Sequence, residues 1–344
     1  MRCLAQEQDD RVAFFYLHPV EDRSFGVRPC WIRNLRQAPE KFDRDVMKQG
    51  LPPMLPRECC AHPQGATALS EADLRMVWFP EGDAVALLEK DEILAVIPSW
   101  GGRKGLYGYA RDCIRDSPLS WPLRGTVLEE RVRAAEGYWS AWEDDSPWRP
   151  CQTMYLDEYE RVLGKHSRYF AIDGDRWPPK ALVRFDSSDC TVLLTVGVSL
   201  RPQPQVEMYC RNPSEYRRFE LAACFAKGIG DETIMSFGDY LSGQANHPWD
   251  HFTFLGNGHT IGCDVFSKDE RLAGFSAVLL LEQPRGIPEI RIPRMDGDRV
   301  MLLWCIPVTA HERKLAEEKG SKELVRAFVG GQPAWIIEGR EEVV

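Results

Sequence analysis

The feature that most constrains the fold is a set of short apolar runs, none of which approaches the roughly 20 residues that a membrane-spanning helix needs. Most are rich in β-branched residues and are bounded by Gly, Pro or charged residues, which predicts buried strands. The runs cover residues 12–19, 84–88, 93–97, 191–200, 277–283, 299–308 and 334–339. Because amphipathic helices are predicted between these strands, we expect an α+β protein with mixed sheets and packed helices.

Two strand pairings are predicted from the order of these runs. In the first half, the runs at 84–88 and 93–97 flank the charged turn 89–92, which is typical of a buried hairpin. In the second half, TVLLTVGVSL (191–200) is expected to pair through the turn RPQPQ with a returning strand VEMYC (206–210). The segment FELAACFAK (219–227) fits either a strand or a helix by its pattern alone.

Several helices are predicted from their apolar faces and end signals. Residues 127–143 form the clearest amphipathic helix. Its apolar face consists of Leu128, Val132, Ala135, Trp139 and Trp142. Residues 231–244 form another, with Asp231 as the expected cap. Thr309 and Glu312 have the spacing of a capping box, Gly320 is expected to end that helix, and Ser321 to cap the next one.

The chain of 344 residues is long enough for two domains. The stretch EDDSPWRP (143–150) combines acidic residues with two prolines, which indicates a boundary. We therefore predict a smaller strand-rich α+β domain at 1–148 and a second α+β domain at 149–344. A helix near 153–163, followed by Gly164, is expected to open the second domain.

Charge and cysteine usage limit the classes of function. A net charge of −9 argues against nucleic acid as the main partner, since phosphate binding needs clustered Lys and Arg. The N-terminal residues include acidic ones where a signal peptide has an apolar segment, so a cytoplasmic location is expected, without membrane partners. The eleven cysteines contain no CxxC pair and are expected to be reduced thiols.

The stretch HPWDHFTFLGNGHTIGC (247–263) raises the question of metal chemistry. A metal-dependent hydrolase would draw its ligands from His247, Asp250, His251 and His259. However, the alternation of Phe252 and Phe254 predicts a strand, where residues four apart lie about 13 Å from each other. We therefore expect no metal, and the metal-dependent hydrolase is kept as the alternative function.

Two other kinds of site receive little support from the sequence. The glycines in GNGHTIG (256–262) have the spacing G-x-G-x-x-x-G, one residue longer than a dinucleotide fingerprint. The chain also has neither a GxSxG elbow nor an HExxH motif, so no catalytic residues are predicted. No cofactor is expected.

The second half resembles the suppressor of fused family over roughly residues 150–344. The segments that carry the resemblance are TVLLTVGVSLRPQPQVEMY (191–209), RRFELAACFAK (217–227), DETIMSFGDYLSGQANHPW (231–249) with HTIG (259–262), RVMLLWCIPVTAHERKLAEEKGSKELV (299–325) and AWIIEGRE (334–341). The resemblance implies that 219–227 is a strand and that the domain works by binding proteins. Animal members grip an extended peptide by strand addition, and bacterial members are regarded as immunity proteins.

These observations together predict a non-enzymatic protein-binding module. The resemblance to the bacterial members implies an immunity-type protein that sequesters or neutralises a toxin, or that binds an extended peptide. The expected contact residues lie at the end of the helix 231–244 and in the loop after it, because loops tend to carry function. They are Asp239, Tyr240, Trp249, His251 and His259.

Overall fold

A computed structural model describes residues 4–18, 26–42, 44–102, 108–143, 147–331 and 333–344. The chain divides into two compact units, Met1–Asp144 and Asp145–Val344. This division falls inside the stretch 143–150 that the sequence marks as a boundary. None of the described helices is long and apolar enough to cross a membrane.

The first unit contains two sheets over its described residues, one of three strands and one of five. Its strands are β1 Leu4–Gln8, β2 Val12–Leu17, β3 Arg28–Asn34, β4 Leu74–Trp78, β5 Val85–Glu89, β6 Glu92–Ile97, β7 Tyr109–Ala110 and β8 Trp121–Pro122, and its helices are α1 Arg44–Lys48 and α2 Val127–Ala141. The predicted hairpin is confirmed, since β5 and β6 pair antiparallel and are largely buried. On the predicted apolar face of α2, Leu128, Val132 and Ala135 are buried, whereas Trp139 and Trp142 are partly exposed and Trp142 follows the end of the helix.

The second unit is built on one mixed sheet of eight described strands. Its strands are β9 Arg168–Ala171, β10 Ala181–Asp186, β11 Cys190–Val196, β12 Arg218–Ala226, β13 Thr260–Gly262, β14 Ala277–Leu281, β15 Val300–Val308 and β16 Ile336–Ile337. Its helices are α3 Trp148–Leu163, α4 Val206–Tyr209, α5 Asp231–Gln244, α6 His247–Asp250, α7 Ala310–Lys319 and α8 Ser321–Ala327. The expectation of an α+β protein with mixed sheets is confirmed.

Strand β12 is the centre of this sheet. It pairs antiparallel with β11 on one side and parallel with β15 and β16 on the other. The strand is buried along nearly its whole length, which explains why its sequence is apolar on both faces and does not alternate. Helix α5 covers the sheet with Ile234, Phe237 and Leu241, as its periodicity predicts.

The predicted hairpin between 191–200 and 206–210 is wrong. Strand β11 already has neighbours on both sides, β10 and β12, so no edge remains for a further strand. After β11 the chain turns at Gly197, and the buried carboxylate of Glu220 accepts hydrogen bonds from the backbone N–H groups of Gly197 and Ser199, at 3.0 Å each. The segment predicted as the return strand forms the short helix α4 instead.

Two predicted caps are also wrong, while the capping box is confirmed. Helix α5 has Gly230 at its N-cap, and the carboxylate of Asp231 pairs with the guanidinium of Arg184. Helix α8 has Gly320 at its N-cap, so Ser321 is already helical. At α7, Thr309 Oγ1 accepts the N–H of Glu312 and the Glu312 carboxylate accepts the N–H of Thr309.

Candidate functional site

Two loops of the second unit, residues 201–217 and 247–259, are joined by the side chain of Gln203, and we call them the paired loops. Gln203 is fully buried. Its Nε2 donates to the carbonyl oxygens of Leu255 at 2.8 Å and Tyr216 at 2.9 Å, and its Oε1 accepts the N–H of Leu255 at 2.8 Å. Because a buried amide with three such bonds is costly to displace, the paired loops are held in one fixed arrangement.

The paired loops carry a row of three rings in contact, Tyr209, Phe254 and His259, which we call the aromatic ladder. The rings of Tyr209 and Phe254 lie 5.9 Å apart at 27°, and those of Phe254 and His259 lie 5.1 Å apart. Tyr209 is 62% exposed. Burial lowers the pKa of His259 against the weaker opposing effect of its contact with the Phe254 carbonyl, which favours the neutral imidazole.

A second group, which we call the cationic end, consists of Arg201 and Trp249 on the paired loops and of Lys180, which directly precedes β10. Trp249 stacks on Phe219 with centroids 6.4 Å apart and donates Nε1–H to the Pro202 carbonyl at 3.1 Å. Lys180 Nζ lies 5.7 Å and Arg201 Cζ 5.4 Å from the Trp249 ring centroid, within reach of a cation–π contact. Burial, and then the charge of Arg201, lower the pKa of Lys180 to about 8.

The prediction of a strand from the alternation of Phe252 and Phe254 is wrong, because residues 247–250 form the one-turn helix α6 and no strand follows among the described residues before β13. Pro248 fits the first turn of a helix, where its missing N–H costs no hydrogen bond. The helical spacing brings the rings of His247 and His251 to 4.5 Å, rather than about 13 Å. Burial, together with the neighbouring His251, lowers the pKa of His247.

The ligand set of the alternative hydrolase is not assembled. His251 and Asp250 are exposed beside His247, whereas Nδ1 of His259 faces the Phe254 carbonyl at 3.2 Å. Over the described residues, the structure contains no group of three or more His, Cys, Asp or Glu side chains placed to hold a metal ion.

The other predicted contact residues fall in different places. Asp239 is exposed on α5. Tyr240 packs on Phe237 with centroids 5.2 Å apart, and its hydroxyl is buried without a hydrogen-bond partner among the described residues. Of the five predicted residues, Trp249, His251 and His259 lie on the paired loops, while Asp239 and Tyr240 lie on α5.

Sequence reasoning missed four residues of this face: Lys180, Arg201, Tyr209 and Phe254. Tyr209 was assigned to a strand that does not form, and Phe254 was treated only as part of an alternating pattern. The RPQPQ segment offered a signal, because two prolines in five residues are poorly suited to a tight hairpin turn. Nothing in the sequence placed Lys180 beside Trp249.

Comparison with known proteins bears on the second unit. The family model for the suppressor of fused protein matches residues 176–339, which include the paired loops. A solved structure described as the Sufu–Fu complex is similar at 12% identity with a TM-score of 0.34, covering 56% of this chain and 91% of that one. No curated protein matches the chain.

Proposed function

Because residues 176–339 match the family model for the suppressor of fused protein, we propose that this chain is a protein-binding module whose partner docks on the paired loops. The aromatic ladder supplies the apolar centre of the contact, and the exposed polar groups around it supply the rim. This arrangement matches the usual anatomy of protein interfaces, in which tyrosine is enriched at the core.

The observation that carries the proposal is the exposure of Tyr209. In the described part of the second unit, three large hydrophobic side chains are strongly exposed, and two of them, Tyr209 and Tyr216, lie on one paired loop. Exposed aromatic residues of this kind are common among the few side chains that dominate binding energy. Tyr209 is the one that is stacked and therefore fixed in position.

The rigidity of the site supports the same function. Gln203 clamps the paired loops, and the Trp249 indole is tied to the Pro202 carbonyl. A surface that is already ordered loses little conformational entropy when a partner binds, and this improves affinity without any further contact. The proposal therefore needs no rearrangement of these loops.

For the partner, we propose a toxin domain that is neutralised when the chain covers its active surface, without catalysis by this chain. Support comes from the resemblance to bacterial members of the family. The test is to add the purified chain to the captured partner and to measure the partner's own activity. Loss of that activity at one chain per partner is expected, and a bound but fully active partner would refute neutralisation.

The docking site is tested by partner capture with the immobilised full chain. Replacing Tyr209 by Ala is expected to weaken binding by about tenfold or more, as for a central interface aromatic. Tyr216→Ala is the matched control, because Tyr216 is also an exposed tyrosine of the same loop but stands outside the ladder. Equal affinity of the Tyr209→Ala and wild-type chains would refute the proposed site.

A further inference from the structure

Lys180 is a buried cation that has no carboxylate in an ion pair with it among the described residues. The residue is 2% exposed. Its Nζ donates to the Asn246 side-chain oxygen at 3.0 Å and to the Pro178 carbonyl at 3.4 Å, and among the described residues these two contacts are both to uncharged groups. Lysine is almost never fully buried unless it is paired, so this contact set is incomplete for a buried ammonium group.

The charged groups near Lys180 do not supply the carboxylate contact that its ammonium group lacks. Arg201 places a second positive charge near the Trp249 ring and disfavours the Lys180 ammonium. Asp173, Asp250 and Glu220 act on Lys180 from a distance. The Glu220 carboxylate is engaged by hydrogen bonds from Thr195, Gly197 and Ser199, so it is not available to Nζ.

We propose that Lys180 and Arg201 form a binding site for a carboxylate that an acidic segment of the protein partner supplies. This inference rests on the proposed function and adds the chemistry of the partner. An ammonium and a guanidinium converging on one half-buried ring provide charge-assisted donors, which are the strong ones for a carboxylate. Burial on both sides of the contact strengthens such a pair relative to a solvated one.

The site continues into the surface that holds the aromatic ladder. Trp249 is bonded to Pro202, and the next residue, Gln203, is bonded to Leu255, which adjoins Phe254. A partner segment lying along the paired loops would therefore meet cations at one end and stacked rings at the other. The segment that fits this surface combines Asp or Glu with an apolar or aromatic residue.

The carboxylate site is tested on the full chain without its partner, using sodium acetate as the probe against sodium chloride at equal ionic strength. Eleven tryptophans give eleven indole N–H signals in a chain labelled with ¹⁵N-tryptophan, and Trp249→Phe identifies the relevant one. Acetate is expected to shift the Trp249 signal in a saturable way. Lys180→Met should abolish the shift, and the exposed control Lys227→Met should leave it unchanged.

A second variant keeps the test decisive if Lys180→Met fails to fold. Arg201→Met changes a partly exposed loop residue, and it is expected to weaken both the acetate response and partner binding by about tenfold. A Trp249 response that is the same in acetate and chloride would overturn the inference. Saturation by inorganic phosphate but not by acetate would overturn it too, because the site would then select a phosphate.

The two proposals fail in different ways. If acetate does not bind while Tyr209→Ala still weakens partner binding, the carboxylate site is wrong and the docking surface stands. If acetate binds at Lys180 but neither Tyr209→Ala nor Arg201→Met affects partner binding, the docking surface is wrong, and the assignment of the carboxylate to the partner falls with it.

Discussion

Tyr240 shows how a candidate contact residue is distinguished from a core residue at the scale of one side chain. Its ring packs on Phe237, and its buried hydroxyl has no hydrogen-bond partner among the described residues. Removing a buried hydroxyl that has no partner should not cost stability. We therefore predict that Tyr240→Phe leaves the free energy of unfolding in urea unchanged or raises it by up to about 1 kcal/mol.

Tyr159 provides the matched control for that measurement. It is also buried, but its hydroxyl donates to the Thr195 carbonyl at 3.1 Å. Tyr159→Phe is expected to lower the free energy of unfolding by about 1 kcal/mol, the usual net value of one such bond. A loss of that size in Tyr240→Phe would mean that its hydroxyl has a partner that the packing does not reveal.

At the residue scale, sequence reasoning could identify which residue types suit a contact but not which of them are accessible. Tyr240 was proposed from its position near the end of the helix 231–244, and Trp249 from its position in the loop after that helix. Both side chains pack against the core of the second unit. They differ in their polar atoms, because Nε1–H of Trp249 donates to a carbonyl oxygen, whereas the Tyr240 hydroxyl has no hydrogen-bond partner among the described residues. That depends on Pro202, which lies 47 positions away from Trp249 in the chain and cannot be paired with it from spacing.

At the scale of elements, Gly197 ends β11 and starts the turn that replaced the predicted hairpin. Its φ is +92°, and a Cβ there would lie 2.6 Å from the Pro179 carbonyl oxygen and 2.7 Å from the Trp148 ring. Gly197→Ala combines backbone strain with overlap, so we predict a loss of about 3 kcal/mol or more in the free energy of unfolding.

The control for this substitution is Gly243 in α5. A Cβ at Gly243 meets nothing within 4 Å, and alanine is the better helix former by about 1 kcal/mol. Gly243→Ala should therefore be neutral or stabilising by thermal unfolding. A similar loss of stability in Gly197→Ala and Gly243→Ala would contradict the prediction, because only Gly197 of the two combines a positive φ with close contacts.

The capping box of α7 predicts a dependence of stability on pH. Burial alone would raise the pKa of Glu312, but hydrogen bonds from Arg340 and from the N–H groups of Thr309 and Val343 outweigh it and lower the pKa below its ordinary value of 4.5. A carboxyl with a lowered pKa in the folded state stabilises the fold above pH 4.5, and that contribution is lost as the pH falls through the folded-state pKa.

We predict that Glu312→Gln removes this pH-dependent part of the stability. Urea unfolding between neutral and acidic pH should show a smaller fall in the free energy of unfolding for Glu312→Gln than for the wild type. Glu317→Gln is the control, since Glu317 forms an exposed i,i+4 pair with Arg313 and such pairs contribute little. Parallel curves for Glu312→Gln and wild type would contradict the prediction.

The elements that sequence reasoning predicted well are those with a local signal. Strands β5, β6, β14 and β15 follow from apolar runs, and α7 follows from its capping box. The failures depend on partners far along the chain. The true hairpin joins β10 to β11 through Ser187, whose hydroxyl accepts the N–H of Cys190 at 3.1 Å, and a prediction based on 191–210 alone did not consider the strand that precedes it.

At the scale of the whole molecule, the division into two units makes the start of the second one testable. The Trp148 ring lies against Gly197, so a fragment that keeps Trp148 retains this contact. We predict that residues 145–344 unfold cooperatively by themselves and that residues 149–344 are less stable by about 2 kcal/mol, the value of one buried large side chain. Equal thermal transitions for the two fragments would show that the boundary lies after Trp148.

The central claim is that a protein partner docks on the paired loops of the second unit. The most direct measurement is hydrogen–deuterium exchange of the full chain, read by mass spectrometry with and without the captured partner. Protection on binding is expected to concentrate in the paired loops, residues 201–217 and 247–259, and to be weaker with Tyr209→Ala at the same partner concentration. Protection confined to other segments, with these loops unchanged, would contradict it.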